Sequence, residues 1–208
     1  MNKFTKFIII FPILLFGCRI KPQANNDNSL IIDNFSMNIF SQNGNKVYSV
    51  HSPLSSYNRD TQVFNLDKTK IQLYKDNKIE YIINSENSKL YNNNKTVELN
   101  GNIAIKTLTG ENNNLIANKF IWNINNSECV LTGNVKYEND KIILVSSKAL
   151  FNKGTNIIEF FNPVKYIIKG DKKYNNYEVN SENAYYNIYT ESVIFKSKKD
   201  KVRSKIYF

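Results

Sequence analysis

The carboxylates with the most regular placement in this chain are Glu86 and Glu182, each at the centre of a SerGluAsn phrase, Ser85–Asn87 and Ser181–Asn183. A pair of carboxylates is the minimum equipment for hydrolysing a glycosidic bond, one as acid and the other as base or nucleophile. Repetition of the same phrase argues against that use: Ser, Glu and Asn are good residues for exposed turns, and a repeated turn needs them each time. His51 is the single histidine, so a metal site would have to be built from carboxylates or Cys129. The chain has no Gly-x-Ser-x-Gly, no glycine-rich phosphate loop and no Cys-x-x-Cys. The expectation is therefore a protein without catalytic residues, metal or cofactor, and not an enzyme.

The one side chain whose surroundings specify a covalent reaction is Cys18. Lys3 and Lys6 precede the apolar run Phe7–Phe16, which is followed by Gly17 and Cys18, the charged, apolar and small order of a secretory signal. The run is half of the roughly 20 residues that a spanning helix needs. Leu14 to Cys18, LeuLeuPheGlyCys, resembles the lipobox of bacterial lipoproteins, in which a peptidase cuts before the cysteine and the thiol carries a diacylglycerol; Phe16 stands where a small residue is usual. The alternative is an uncleaved N-terminal anchor helix. Either puts the remainder outside the cytoplasm and beside a membrane, expected to be the inner one. The expected organisation is a signal peptide over 1–17, a lipidated cysteine and polar tether over 18–29 with Pro22 and Asn25 to Asn28, and one folded domain over 30–208. With Cys18 acylated, Cys129 has no cysteine left to pair with and reads as a small buried hydrophobe.

Beyond the tether the hydrophobic period is two. Val97, Leu99, Ile103 and Ile105 share one parity around Gly101; Cys129, Leu131, Val135 and Tyr137 share one around Gly133; Ile158, Phe160, Val164 and Tyr166 share one around Asn162. Such strands are half buried. Short polar clusters, among them Asp76–Asn77 and Asn139–Asp140, separate them as hairpin turns. No stretch carries a helical stripe, and the fold class is all-β with no significant helix in the folded domain.

The strands also repeat. ELNGNIAIKTL, from Glu98 to Leu108, and VLTGNVKYEND, from Val130 to Asp140, contain the same hydrophobic, polar, Gly, Asn phrase. The strands before them, Ser88–Tyr91 and Lys119–Trp122, correspond, a third copy runs from Ser147 to Val164, and weaker copies start at Ser55 and Ser181. Units of this size bury their apolar faces only by stacking on one another. The expected body is elongated, built from strand-turn-strand units, with a continuous apolar inner face and two sheet ends. The lining would come from Leu99, Ile103 and Ile105; Phe120 and Trp122; Leu131, Val135 and Tyr137; Ile142, Leu144 and Phe151; and Phe160, Val164 and Tyr166. The last strand, about Glu191 to Tyr207, sets Lys196, Lys198, Lys199, Lys201, Arg203 and Lys205 around Val193 and Phe195. Lysines on a sheet edge either blunt it against aggregation or mark it as a docking edge.

The lipobox, the tether, the unit Ser-x-x-aromatic, turn, Leu-x-Gly-x-Val, and the length together resemble the LptC-type proteins of lipopolysaccharide export, relatives of the OstA and LptA β-jellyrolls. The resemblance covers about Ile31 to Phe208. It implies an open, twisted β-jellyroll whose apolar groove takes the acyl chains of lipopolysaccharide. It also implies inner-membrane ABC transporter subunits at the N-terminal edge and a periplasmic LptA-like jellyroll at the C-terminal edge, where Val193, Phe195, Lys196 and Lys198 lie. A net charge of +10 suits an anionic glycolipid, although Lys is abundant here alongside Asn, Ile, Tyr and Phe, as an AT-rich genome would make it. Export argues against nucleic acid as a partner. The alternative is an exported β-repeat lipoprotein that binds a polysaccharide or protein without transporting lipid, using Tyr186 and Tyr189 as exposed aromatics. Radiolabelled palmitate should be incorporated by cells expressing the wild-type chain and lost with Cys18→Ser; retained label would place the lipid elsewhere.

Overall fold

The computed structural model describes residues 29–91, 96–108, 113–124, 128–152, 155–169, 177–198 and 201–206. Among them there is no helix. The strands are β1 (Ser29–Phe40), β2 (Lys46–Asn58), β3 (Val63–Lys75), β4 (Lys78–Tyr91), β5 (Thr96–Thr107), β6 (Asn114–Asn123), β7 (Glu128–Glu138), β8 (Ile142–Asn152), β9 (Ile157–Ile168), β10 (Tyr177–Asn187), β11 (Ser192–Lys196) and β12 (Arg203–Ile206). They form one antiparallel sheet in chain order, without crossovers. β11 and β12 lie end to end on the same side of β10, so the expected last strand comes in two pieces. The sheet is not closed: β1 is one edge, and β11 with β12 is the other. This is the all-β, open jellyroll architecture expected from the sequence.

The alternation explains why these residues are strands. In β7, Cys129, Leu131, Val135 and Tyr137 are buried, while Asn134 between them is exposed. Turns follow the same chemistry: Asp76 and Asn77 take φ of 50° and 60° between Lys75 and Lys78, as a two-residue hairpin requires. The carboxamide of Asn139 accepts the N–H groups of Lys141 and Ile142 at 2.9 and 2.8 Å. Asn58 and Asn187, each closing a Tyr-Asn pair, accept the N–H groups two and three residues on.

The feature that turns a flat meander into a jellyroll is a row of irregularities running across the strands at mid-length. On β1, β3, β5 and β7 it consists of left-handed residues: Asn34, Lys68, the pair Gly101–Asn102 and the pair Gly133–Asn134. On β2, β8 and β10 a buried serine replaces them, and its hydroxyl bonds the carbonyl two residues on: Ser52 to Leu54, Ser146 to Lys148 and Ser181 to Asn183, at 2.6, 2.9 and 2.9 Å. On β4, Ser85 instead meets the Ser88 hydroxyl at 2.7 Å. Pairing register slips at this row, between Asn84 and Asn87, Asn100 and Ile103, Thr132 and Val135, and Ser181 and Asn183. An extra residue in one strand of a pair bends it and raises its twist. Glu86 and Glu182 therefore sit inside strands at the bend, not in turns. The Glu86 carboxylate accepts the Asn102 side chain, and Glu182 accepts the Lys198 N–H at 2.8 Å.

Each strand is thereby divided into two arms, and the sheet folds over on itself. Side-chain pairs cross the interior from one arm to the other: Phe35 to Phe64, Tyr48 to Trp122, Tyr137 to Tyr186 and Tyr166 to Phe195, with ring centroids 4.7 to 5.2 Å apart. In every case the second residue belongs to a later, non-neighbouring strand. The core is this space between arms.

Gly101 and Gly44 test the bend against a bland control, since both have positive φ but a Cβ on Gly101 would run into Glu86 while one on Gly44 meets open space. Gly44→Ala should cost about 1 kcal/mol from the left-handed backbone alone. Gly101→Ala should cost roughly 2–3 kcal/mol by urea unfolding, the strain plus displacement of Glu86; equal costs would mean that the bend tolerates a side chain.

Candidate functional site

All of the lining residues expected from the sequence lie on the inner face. Leu99, Ile103, Phe120, Trp122, Leu131, Val135, Tyr137, Ile142, Leu144, Phe160 and Val164 are buried, and Ile105, Phe151 and Tyr166 are half-buried against the same cluster. The interior is a packed core with a cavity in it, not a clear channel. Leu99, Leu131, Leu144 and Phe160 have no exposed surface.

The cavity, of about 80 Å³, is almost wholly apolar. Six of the expected residues line it: Ile105, Phe120, Trp122, Leu131, Tyr137 and Phe151. The rest of its wall comes from residues outside the expected set, including Leu73, Tyr81, Ile83, Leu115, Cys129, Ile158 and Ile188. Cys129 and Ile158 shared the buried parity, so the alternation contained the signal. Choosing among same-parity residues needs the crossing of the arms, which sequence periodicity does not encode.

Polar groups reach the cavity at one end. The Tyr137 hydroxyl lies 2.8 Å from the Asn113 carboxamide oxygen, to which it donates, and 3.0 Å from the Tyr186 hydroxyl. Thr107, Asn113 and Asn114 complete that rim. Burial, with smaller contributions from the Glu80 carboxylate and Tyr189, pushes the Tyr81 phenol up to about 12. Burial likewise raises Tyr48 and, with Tyr186 and Tyr177 adding to it, Tyr166.

Cys129 is buried as expected and pairs across the strands with Trp122. At the C-terminal edge, Lys196 and Lys198 are exposed, whereas the side chains of Val193 and Phe195 turn inward against the core. Tyr186, expected as an exposed aromatic, is buried, because its ring stacks on Tyr137 across the interior; Tyr189, in the turn before β11, is exposed. His51 is exposed, and no group of ligating side chains that could hold a metal occurs among the described residues. No helix of the described residues is long and apolar enough to cross a membrane. The signal peptide, Cys18 and the tether lie outside the described residues.

An unclosed antiparallel sheet folded around an apolar interior is a β-jellyroll architecture. The family model described as "Lipopolysaccharide-assembly, LptC-related" matches residues 17–149, and the chain belongs to that family. Its role lies in lipopolysaccharide assembly. Among solved structures the chain is similar to LptH, described as the LptA homologous periplasmic component of the conserved lipopolysaccharide transport device from Pseudomonas aeruginosa. That similarity has 12% identity and a TM-score of 0.47, and covers 61% of this chain and 92% of that one. No curated protein matches.

The raised Tyr81 gives a pH prediction. Its folded-state pKa lies above the ordinary 10.0, so the stability tied to its neutral form is complete below pH 10.0 and is lost as pH rises toward about 12. The melting temperature should fall across that window, and less steeply in Tyr81→Phe; an unchanged slope would mean that Tyr81 is solvated when folded.

Proposed function

We propose that this protein accepts lipopolysaccharide from an inner-membrane ABC transporter, holds its acyl chains between the two arms, and passes them to an LptA-like jellyroll. The observation that carries the proposal is the inner face: apolar side chains on every strand from β2 to β10 face one another across a sheet that is open along both edges. Acyl chains are apolar and gain about 0.8 kcal/mol per CH₂ on leaving water, so such a face binds them without any specific polar contact. Because the interior is packed, the chains enter by parting the arms and displacing side chains around the cavity. Family membership supplies the class of ligand.

The two edges differ in a way that suits a one-way relay. β1 has Asp33 and no lysine or arginine, and it exposes Leu30, Ile31 and Phe40. The opposite edge has Lys196, Lys198, Lys201, Arg203 and Lys205. Strand addition supplies the same main-chain hydrogen bonds at either edge, so side chains decide which partner docks where. In this proposal β1 meets the transporter and β11 with β12 meets the jellyroll partner. Cys18, lipidated, holds the domain at the inner membrane.

A photo-crosslinking residue at Trp122 or Phe151 should give lipopolysaccharide adducts in living cells. The outward positions Asn134 and Val145, both exposed, should give none. Equal labelling inside and outside, or labelling outside alone, would refute an interior lipid path.

A further inference from the structure

The sheet folds at the bend, so its open long side lies where the tips of the two arms come together. One tip reaches across. The turn 188–191, between β10 and β11, belongs to the same arm as Trp122 and Phe151, yet it and the strand leading into it meet the opposite arm at three places. Ile188 is half-buried and completes the wall of the apolar cavity with Leu73 and Tyr81 of the other arm. The Glu191 carboxylate lies 2.7 Å from the Lys141 ammonium, in the turn between β7 and β8. Just before the turn, the Tyr186 hydroxyl meets that of Tyr137 at 3.0 Å, with the ring centroids 4.7 Å apart.

The turn is built to move as a piece. The Asn187 carboxamide accepts the N–H groups of Tyr189 and Thr190, the Thr190 and Ser192 hydroxyls meet at 2.7 Å, and the Ile188 N–H donates to the Asn156 carbonyl at 3.1 Å within its own arm. β11 is an edge strand, bonded on one side only. The contacts with the other arm are of a different kind: an apolar plug, a buried hydroxyl pair and an exposed ion pair, none of them part of a strand ladder. An exposed ion pair is weak and is screened by salt, while the buried hydroxyl pair holds more firmly. Tyr137 also donates to the Asn113 carboxamide at 2.8 Å, so it keeps a partner when the turn lifts.

We propose that the turn 188–191 is a clasp. Closed, it ties the tips of the two arms together through Glu191 and Tyr186 and covers one side of the cavity with Ile188. Lifted, it opens a side entrance to the cavity while the bend and the strand pairing of β1 to β9 stay intact. Opening costs side-chain contacts only, which makes it the cheapest route from solvent to the interior. What passes through the entrance rests on the proposed function; the entrance itself does not.

Cys129 lines the cavity and Cys18 is the chain's other cysteine. In the full chain with Cys18→Ser, the rate at which methyl methanethiosulfonate, a small uncharged reagent, modifies Cys129 therefore reads how often the cavity opens. In that background Glu191→Lys, which sets two ammonium groups against each other, should be modified about threefold faster, and Tyr186→Phe about fivefold faster. Adding Lys141→Glu to Glu191→Lys restores the pair with its charges exchanged and should return the rate to that of the parent. Gly44→Ala, at the other edge of the sheet, destabilises the fold without touching the clasp and should leave the rate unchanged. Equal acceleration by Gly44→Ala, no acceleration by Glu191→Lys and Tyr186→Phe, or no restoration by the charge exchange would overturn the clasp. No lipid enters this measurement, so its failure leaves the lipid path standing. Rates as expected in a chain that gives no lipopolysaccharide adducts at Trp122 or Phe151 would support the clasp and remove the lipid path.

Discussion

An antiparallel strand with one apolar face must cover that face, and here each strand covers it with the other half of the same sheet. Everything else depends on the bend that makes this possible. The row of left-handed residues and buried serines runs across the sheet, and from β4 to β10 the hydrogen-bond register slips at it in every pairing, so the fold-over is continuous rather than a corner on one strand. An L-residue in the left-handed region is costly by about 1–2 kcal/mol, and Gly and Asn at the bend keep that cost low. The serines act differently: a buried hydroxyl that bonds the carbonyl two residues on satisfies a group the ladder has released.

The same construction explains why the interior suits a passing hydrophobic guest. A closed barrel would pair every strand edge, whereas this sheet leaves β1 and the β11–β12 side unpaired and meets itself across the interior mainly through side chains. Aromatic pairs such as Tyr48 with Trp122 hold the arms by contact area and quadrupole geometry, interactions that an acyl chain can replace in kind. The Tyr137–Tyr186 hydrogen bond is the exception, because a guest of pure hydrocarbon has nothing to offer either hydroxyl. It lies at the end of the cavity where the walls turn polar.

Much of the fold was legible in the sequence because period-two alternation is a local property. Leu131, Val135 and Tyr137 announce their inward direction within a single strand, and every lining residue expected on this ground lies on the inner face. The Gly-Asn phrase was legible as a repeat inside strands, with the buried parity kept on both sides of it, but nothing in a single unit marks it as a bulge. The SerGluAsn phrase was misread as a turn because its residues also make turns, and Glu86 and Glu182 proved to be at the bend. Tyr186 was misassigned because the bulge at Ser181–Asn183 lies between it and Val179, so parity counted along β10 from Val179 gives the wrong face. The cavity was out of reach, since it depends on which distant strands face each other.

The central claim is that lipid occupies the space between the arms, and the most direct test is to prevent the arms from parting. In a Cys129→Ala background, Tyr48→Cys and Trp122→Cys would place thiols on opposite arms at a cross-interior contact. Lipopolysaccharide binding is then measured with the thiols reduced and with them linked by a short bifunctional reagent. The account predicts binding when reduced and its loss when linked, with recovery if the link is cleaved. Undiminished binding by the linked protein would contradict it and place the lipid outside the arms.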